Sequence, residues 1–284
     1  MINLSESLLL EQEIQRVISK QSRHGVAFAA GEAATLSDFL LRRLEHLKEG
    51  IQTQLDSEVI RGTPVTKPYK KDGTLTKRVQ DWFKKPVEIS GPFTKVSFAK
   101  PLPTQRAKIA AQLVRGGWKP EEFSPGGTPR MTKGGIPVDT LKGTPLGNRL
   151  ADFYLKAHRR ALIDGLREQV WSDENCVYRI SAGAIVCGTN TGRMRHRGVV
   201  NIPKASPKVY LGTKIRSLFT VPKGYKMVGV DAAGLELRML CHYMDDPDYT
   251  KMLLEGDIHT HNQKLAGLPD RDKAKTFILI ARIT

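Results

Sequence analysis

The stretch Lys226-Met227-Val228-Gly229-Val230-Asp231-Ala232-Ala233-Gly234-Leu235-Glu236-Leu237-Arg238 sets one carboxylate between an apolar run and a helical pattern. Met227, Val228 and Val230 read as a short buried strand with Asp231 at its C-terminal end. From Leu235 onward, Leu237, Leu240, Cys241 and Met244 recur at helical spacing on one side. A carboxylate at a strand end, beside small residues, is open to a ligand from the solvent side. It suits Mg2+, a hard cation that takes carboxylate oxygen and keeps part of its water. Ala232 and Ala233 leave room for a phosphate-bearing substrate against the backbone. The same position also suits the N-cap of the next helix, a commoner use of Asp at such a turn. Farther along, Arg271 and Lys275 stand four residues apart, so one helical face would present two cations to one anion. Such a pair is equally at home as plain surface charge.

The elements that must carry these groups are legible in outline. Leu36, Leu40, Leu44, Leu47, Ile51 and Leu55 recur at steps of three and four, which predicts one long amphipathic helix over about 33–56. Helical pattern returns after Thr104-Gln105-Arg106, stops at Gly116-Gly117, and resumes from about Leu146 to Val170. Short β-like runs follow at 177–180 and 184–186. Between Arg61 and Lys108 lie twelve Lys/Arg against three acids, and six prolines forbid a long helix there. Trp82, Phe83, Phe93 and Phe98 are interleaved with those cations, which reads as a basic loop set between helices. It is either an arm for nucleic acid or a partner protein, or a solvated loop.

Charge narrows the class. Forty-five Lys+Arg against 29 Asp+Glu leave +16 over 284 residues, a balance that points to a polyanionic partner. No run approaches 18 consecutive apolar residues, so no transmembrane helix is expected. The N-terminus carries acids inside its short apolar run and has no signal-peptide pattern. Cys176, Cys187 and Cys241 form no CxxC pair, which fits a reducing, cytoplasmic compartment.

The segment Val230-Asp231-Ala232-Ala233-Gly234-Leu235-Glu236-Leu237-Arg238 resembles the first catalytic motif of family A DNA polymerases, in the form used by phage replicases. Other segments agree in order. Gly188-Thr189-Asn190-Thr191-Gly192-Arg193 resembles the family's Thr-Gly-Arg segment, and Val199-Val200-Asn201-Ile202-Pro203 its Asn-Ile-Pro segment. Ile215-Arg216-Ser217-Leu218-Phe219 and Pro222-Lys223-Gly224-Tyr225 are similar to the lead-in to the metal-binding strand. Gly256-Asp257-Ile258-His259-Thr260 resembles its Asp-Ile-His element, and 271–277 the start of its nucleotide-binding fingers helix. The likeness is clearest from about 183 to 278.

The resemblance implies an α+β fold, an incomplete right-hand polymerase with a helical thumb, part of an antiparallel palm sheet and the start of the fingers. It implies a palm segment over 1–33, a thumb over 34–170 with loop 61–103 inserted, palm again over 171–244, and fingers from 245. Its function would be template-directed DNA synthesis on primer–template DNA with dNTPs, as in viral DNA replication. Nucleotidyl transfer uses two divalent ions that stabilise the attacking and leaving oxygens. By resemblance Asp231 binds both Mg2+ ions and the Ala232 carbonyl one. His259, Arg271 and Lys275 grip the triphosphate, and Glu236 sits beside the sugar. Arg193, with Asn201 and Arg216, would lie on the DNA, Arg193 reaching minor-groove acceptors present at every base pair. A processivity factor, thioredoxin-like in such replicases, would bind loop 61–103.

The chain also departs from the pattern. Nothing in it resembles a 3′–5′ exonuclease. Leu279 stands where the family carries an aromatic, and the later His-Asp-Glu motif, source of a second metal-binding carboxylate, has no counterpart. A separately encoded C-terminal polymerase piece is therefore expected as a partner. The competing reading is a non-catalytic basic DNA-binding remnant of a polymerase. An unrelated phosphoryl-transfer site using Asp231 would need a second acid, such as Asp245, Asp246 or Asp248. One carboxylate does not hold two ions, so the chain alone, given Mg2+ and dNTPs, is expected to incorporate no nucleotide. Extension by this polypeptide without a second one would overturn that.

Overall fold

The computed structural model describes residues 4–83, 88–232, 234–271 and 273–274, and of Glu236 the backbone alone. The chain divides into two compact units, residues 1–225 and 226–284.

In the first unit, helix α1 (Leu4–His24) leads through Gly25 into strand β1 (Val26–Phe28) and the long helix α2 (Ala30–Gln54). The basic segment follows, with β2 (Glu58–Arg61), a single helical turn α3 (Lys77–Gln80) and β3 (Val96–Ala99). Helix α4 (Arg106–Arg115), the short strands β4 (Thr132–Lys133) and β5 (Ile136–Pro137), and helix α5 (Pro145–Arg167) come next. Then come β6 (Val170–Ser172), β7 (Tyr178–Ile180), β8 (Ala182–Ile185), β9 (Arg195–Gly198), helix α6 (Gly212–Arg216) and β10 (Phe219–Thr220). The architecture is α+β.

The α2 stripe packs as its spacing predicts. Ile51 and Leu55, at the C-terminal end of α2, join Ile109 and Leu113 of α4 and Leu150, Phe153 and Tyr154 near the start of α5 in one apolar cluster. Ala33 and Leu40, at the other end, meet Ile163 and Leu166 late in α5 in a second cluster. The two helices therefore run antiparallel. Thr144 caps α5 by accepting from the Gly147 amide at 3.0 Å, and Pro145 occupies its first turn. Beside the second cluster, buried Ser37 donates its hydroxyl to Asp164 at 2.6 Å. Gln112 both accepts from the Asp56 amide and donates to its carbonyl, each at 3.0 Å, which pins the end of α2 to α4.

A four-stranded antiparallel sheet, in the order β10-β1-β7-β6, closes the second cluster. Phe28 pairs with Phe219 and Val26 with Ile180, so one face puts Phe28 and Ile180 in the core beside α2 and α5. The strand runs expected after residue 177 are β7 and β8, but the sheet draws its central strand β1 from the N-terminal end of the chain. Gly25 makes that entry possible: its φ is +63°, and a Cβ there would come within 2.6 Å of the Trp171 ring. Helix α1, not foreseen from the sequence, is held by polar contacts. Gln21 donates to the Ala182 carbonyl at 2.6 Å and Ser181 to the Ser22 carbonyl at 3.1 Å.

The basic segment is a loop between helices, as expected, closed at its base by the antiparallel ribbon of β2 and β3. Inside it, the Trp82 ring meets Phe93 edge-on at 6.1 Å, with Arg78 and Lys95 over its face at 5.1 and 5.4 Å.

In the second unit, α7 (Leu235–Met244), α8 (Pro247–Glu255) and α9 (Ile258–Leu265) follow one another. Leu237 and Cys241 are buried, as the helical spacing requires, while Met244 is half exposed. The strand expected at 227–230 does not form: residues 226–232 have no regular structure, and Val228 and Val230 are 82% and 94% exposed. A strand is stable only when a neighbour takes its amides and carbonyls, and among the described residues none pairs with this run.

Leu150 is fully buried where α2, α4 and α5 meet. Leu150→Ala should lower unfolding stability by about 2–5 kcal/mol, whereas Leu8→Ala, on the exposed face of α1, should leave it within about 0.5 kcal/mol. Urea melts followed by circular dichroism check the contrast.

Candidate catalytic carboxylate and anion-binding residues

Asp231 lies in the irregular run before α7, exposed to solvent. It does not cap that helix. The N-cap is Gly234, in a left-handed conformation, and no side chain accepts there. The carboxylate is thus open to a ligand, as the metal reading requires, and Ala232 beside it is exposed too. Among the described residues, however, no group of three or more His, Cys, Asp or Glu side chains lies close enough together to hold a metal ion. One carboxylate suits a hydrated Mg2+ held weakly. It does not build the two-ion site that the resemblance implies. Asp246, a rival second acid, is committed elsewhere, since it caps α8 by accepting from the Tyr249 amide at 3.0 Å.

Of the residues expected to meet the triphosphate, Arg271 and His259 stand by a carboxylate to which the sequence gives no role, Asp257. Asp257 caps α9, accepting from the His259 amide at 3.2 Å and the Thr260 hydroxyl at 2.8 Å. Arg271 then grips the same carboxylate at two points, Nε to Oδ2 at 2.8 Å and Nη2 to Oδ1 at 3.1 Å. This forked contact fixes the guanidinium beside the first turn of α9, where His259 sits half-buried. Hydrogen bonds from Arg271 and then Thr260 hold the Asp257 carboxyl far below the usual carboxylate range. The signal available in sequence was the cap position alone, Asp257 before Ile258-His259-Thr260. Lys275 and the side chain of Glu236 lie outside the described residues. Arg238 and His242 line a cleft of about 630 Å3 between α7 and α8.

The residues expected on DNA belong to the first unit. Arg193 is exposed in the turn between β8 and β9, where Thr189 donates both its amide and its hydroxyl to the Arg193 carbonyl at 3.1 Å. Asn201 is exposed, with a φ of +53°. Arg216, on α6, donates to the carbonyls of Pro203 at 2.7 Å and Ile202 at 3.3 Å. Its guanidinium ties the Asn201-Ile202-Pro203 segment to α6.

Comparison with known proteins bears on this arrangement. No family model matches the chain. It is 25% identical to a DNA-directed DNA polymerase of Escherichia phage Phieco32, over 95% of this chain and 72% of that protein. That alignment runs over 456 residues, so the relative carries long stretches without a counterpart in these 284. The DNA-directed DNA polymerase of Escherichia phage T7 is 28% identical over 96% of this chain, which spans 45% of its length. The chain is thus similar to DNA-directed DNA polymerases of phages. Its fold agrees: the POL domain of Pol1 from M. smegmatis, solved with DNA primer-template and dNTP, matches 95% of this chain at a TM-score of 0.61 and 17% identity. This chain spans 41% of that structure. No helix among the described residues is long and apolar enough to cross a membrane.

A carboxylate with a depressed pKa contributes stability above its unfolded value and loses it as pH falls through the folded one. The Asp257 cap and its Arg271 contact should therefore survive through the ordinary titration of aspartate, near pH 3.9, and fail only well below it. The Asp257 carboxyl carbon, followed by NMR, should show that low midpoint, and Arg271→Gln should move it up. A midpoint unchanged by Arg271→Gln would contradict the assignment.

Proposed function

We propose that this chain serves template-directed DNA synthesis, as part of a DNA-directed DNA polymerase acting in viral replication. The observation that carries the reading is an exposed carboxylate, Asp231, inside the family's first catalytic motif and free of any capping duty. Asp231 and the Ala232 carbonyl would hold Mg2+, and His259, Arg271 and Lys275 would meet the triphosphate of a dNTP, with Glu236 beside its sugar. When bound, the divalent ions supply charge stabilisation at the attacking and leaving oxygens. The contribution of the chain's own groups is orientation. Asp257 holds Arg271 in a fixed fork, so a triphosphate would meet a guanidinium already set in direction.

We assign 34–170 to a thumb, 1–33 and 171–244 to the palm, and the residues from 245 to the fingers. Arg193, Asn201 and Arg216 would lie along primer–template DNA, Arg216 by holding the backbone beside Asn201. The family's second metal-binding carboxylate would come from a C-terminal polymerase piece outside these residues. Loop 61–103 would receive a thioredoxin-like processivity factor. Its basic charge and the exposed Phe98 on its ribbon support a partner-binding role. The site of action would be the host cytoplasm. The rival reading, a non-catalytic DNA-binding remnant, is favoured by the lack of a metal-holding cluster among the described residues.

Primer extension decides between them. The chain mixed with a polypeptide carrying the remainder of a phage family A polymerase palm and fingers should extend a primer in Mg2+, and Asp231→Asn in the mixture should lower the rate at least a hundredfold. DNA binding without extension in that mixture would favour the remnant.

A further inference from the structure

Residues 175–230 contain no Asp or Glu, yet hold ten Lys and Arg. With 29 acids in 284 residues, about six would be expected in a stretch of that length. Two of the ten cations are spent inside the fold. Arg179 donates to Asp173 at 2.5 Å, and Arg216 to the two carbonyls described above. Most of the others are exposed, and they crowd most densely at β9, where Arg193, Arg195, His196 and Arg197 fall within five positions.

Pairing with β8 fixes how β9 presents them. Ile185 stands opposite Arg195 and Gly183 opposite Arg197. The two arginines are therefore on one face, about 6.8 Å apart along the strand. The hairpin is tight: a Cβ on Gly188 would come within 2.7 Å of the Arg195 Cβ. Arg195 and Arg197 are exposed, and neither makes an ion pair among the described residues. Helix α1 lies against that face, since a Cβ on Gly183 would come within 2.7 Å of the Ser22 hydroxyl, and the two exposed arginines stand beside it as like charges whose repulsion a polyanion would relieve. A row of cations of that kind follows a phosphate backbone and reads no bases.

We propose that Arg195 and Arg197 form a phosphate-binding strip on β9 that grips the backbone of duplex DNA, beyond the contact assigned to Arg193. The inference rests on the polymerase reading, because that reading supplies the duplex. Each phosphate neutralised on B-DNA adds about 0.9 to the slope of log affinity against log salt.

Binding to a primer–template duplex, measured by fluorescence anisotropy over a series of salt concentrations, tests the strip. Arg195→Gln/Arg197→Gln should weaken binding and reduce the slope by about 2. Arg195→Lys/Arg197→Lys should keep the slope. Lys119→Gln/Lys251→Gln removes the same net charge elsewhere and should leave the slope near that of the unaltered chain. Circular dichroism confirms that each variant is folded. Binding by the unaltered chain with no change of slope in the Gln pair, or with an equal change in the Lys119/Lys251 control, overturns the strip and leaves the polymerase reading standing. Failure of the unaltered chain to bind the duplex even at low salt overturns that reading, and the strip with it.

Discussion

Helices α2 and α5 run antiparallel, and the first unit is built along the seam between them. At one end the seam buries Ile51 and Leu150 with α4; at the other it buries Leu40 and Ile163 over the sheet. Because a single pair of helices serves both clusters, the sheet and the far end of the bundle share one rigid axis. The loop with Trp82 and the turn with Arg193 hang from elements fixed to that axis. The Ser37–Asp164 hydrogen bond lies along the seam and limits sliding, since a shift of one turn would take the buried Ser37 hydroxyl away from the carboxylate it donates to.

What was legible in the sequence was what local periodicity encodes. The stripe from Leu36 to Leu55 announced α2, and the Gly116-Gly117 pair announced the end of α4, because each depends on neighbours within a few residues. Helix α1 escaped notice since its leucines, Leu8 to Leu10, are consecutive and face water, while Gln21 and Ser22 dock it through hydrogen bonds. The run at 227–230 misled for the opposite reason. It has a strand's composition, but a strand is a property of two segments, and composition reports one.

The candidate site divides in the same way. Motif order points to Asp231, Arg193, His259 and Arg271 as candidates. It could not show that Arg271 is oriented by Asp257, fourteen residues earlier, or that Arg216 grips backbone carbonyls. Those are contacts at a distance, and each arginine has several carboxylates and carbonyls it could choose from. The basic strip on β9 was hidden for another reason: its signal is the acids that are missing around it, and a search for motifs looks for residues that are present.

The run from Tyr225 to Ala232 links the two units in sequence, with exposed side chains and no ladder or helix to shield its amides. A protease needs backbone free of ladder or helix that it can draw into its own cleft, so this junction is the natural point for a clean cut. Limited digestion there would leave the helical seam whole, and would part the motif's aspartate from the folded body on which its strand-like lead-in begins.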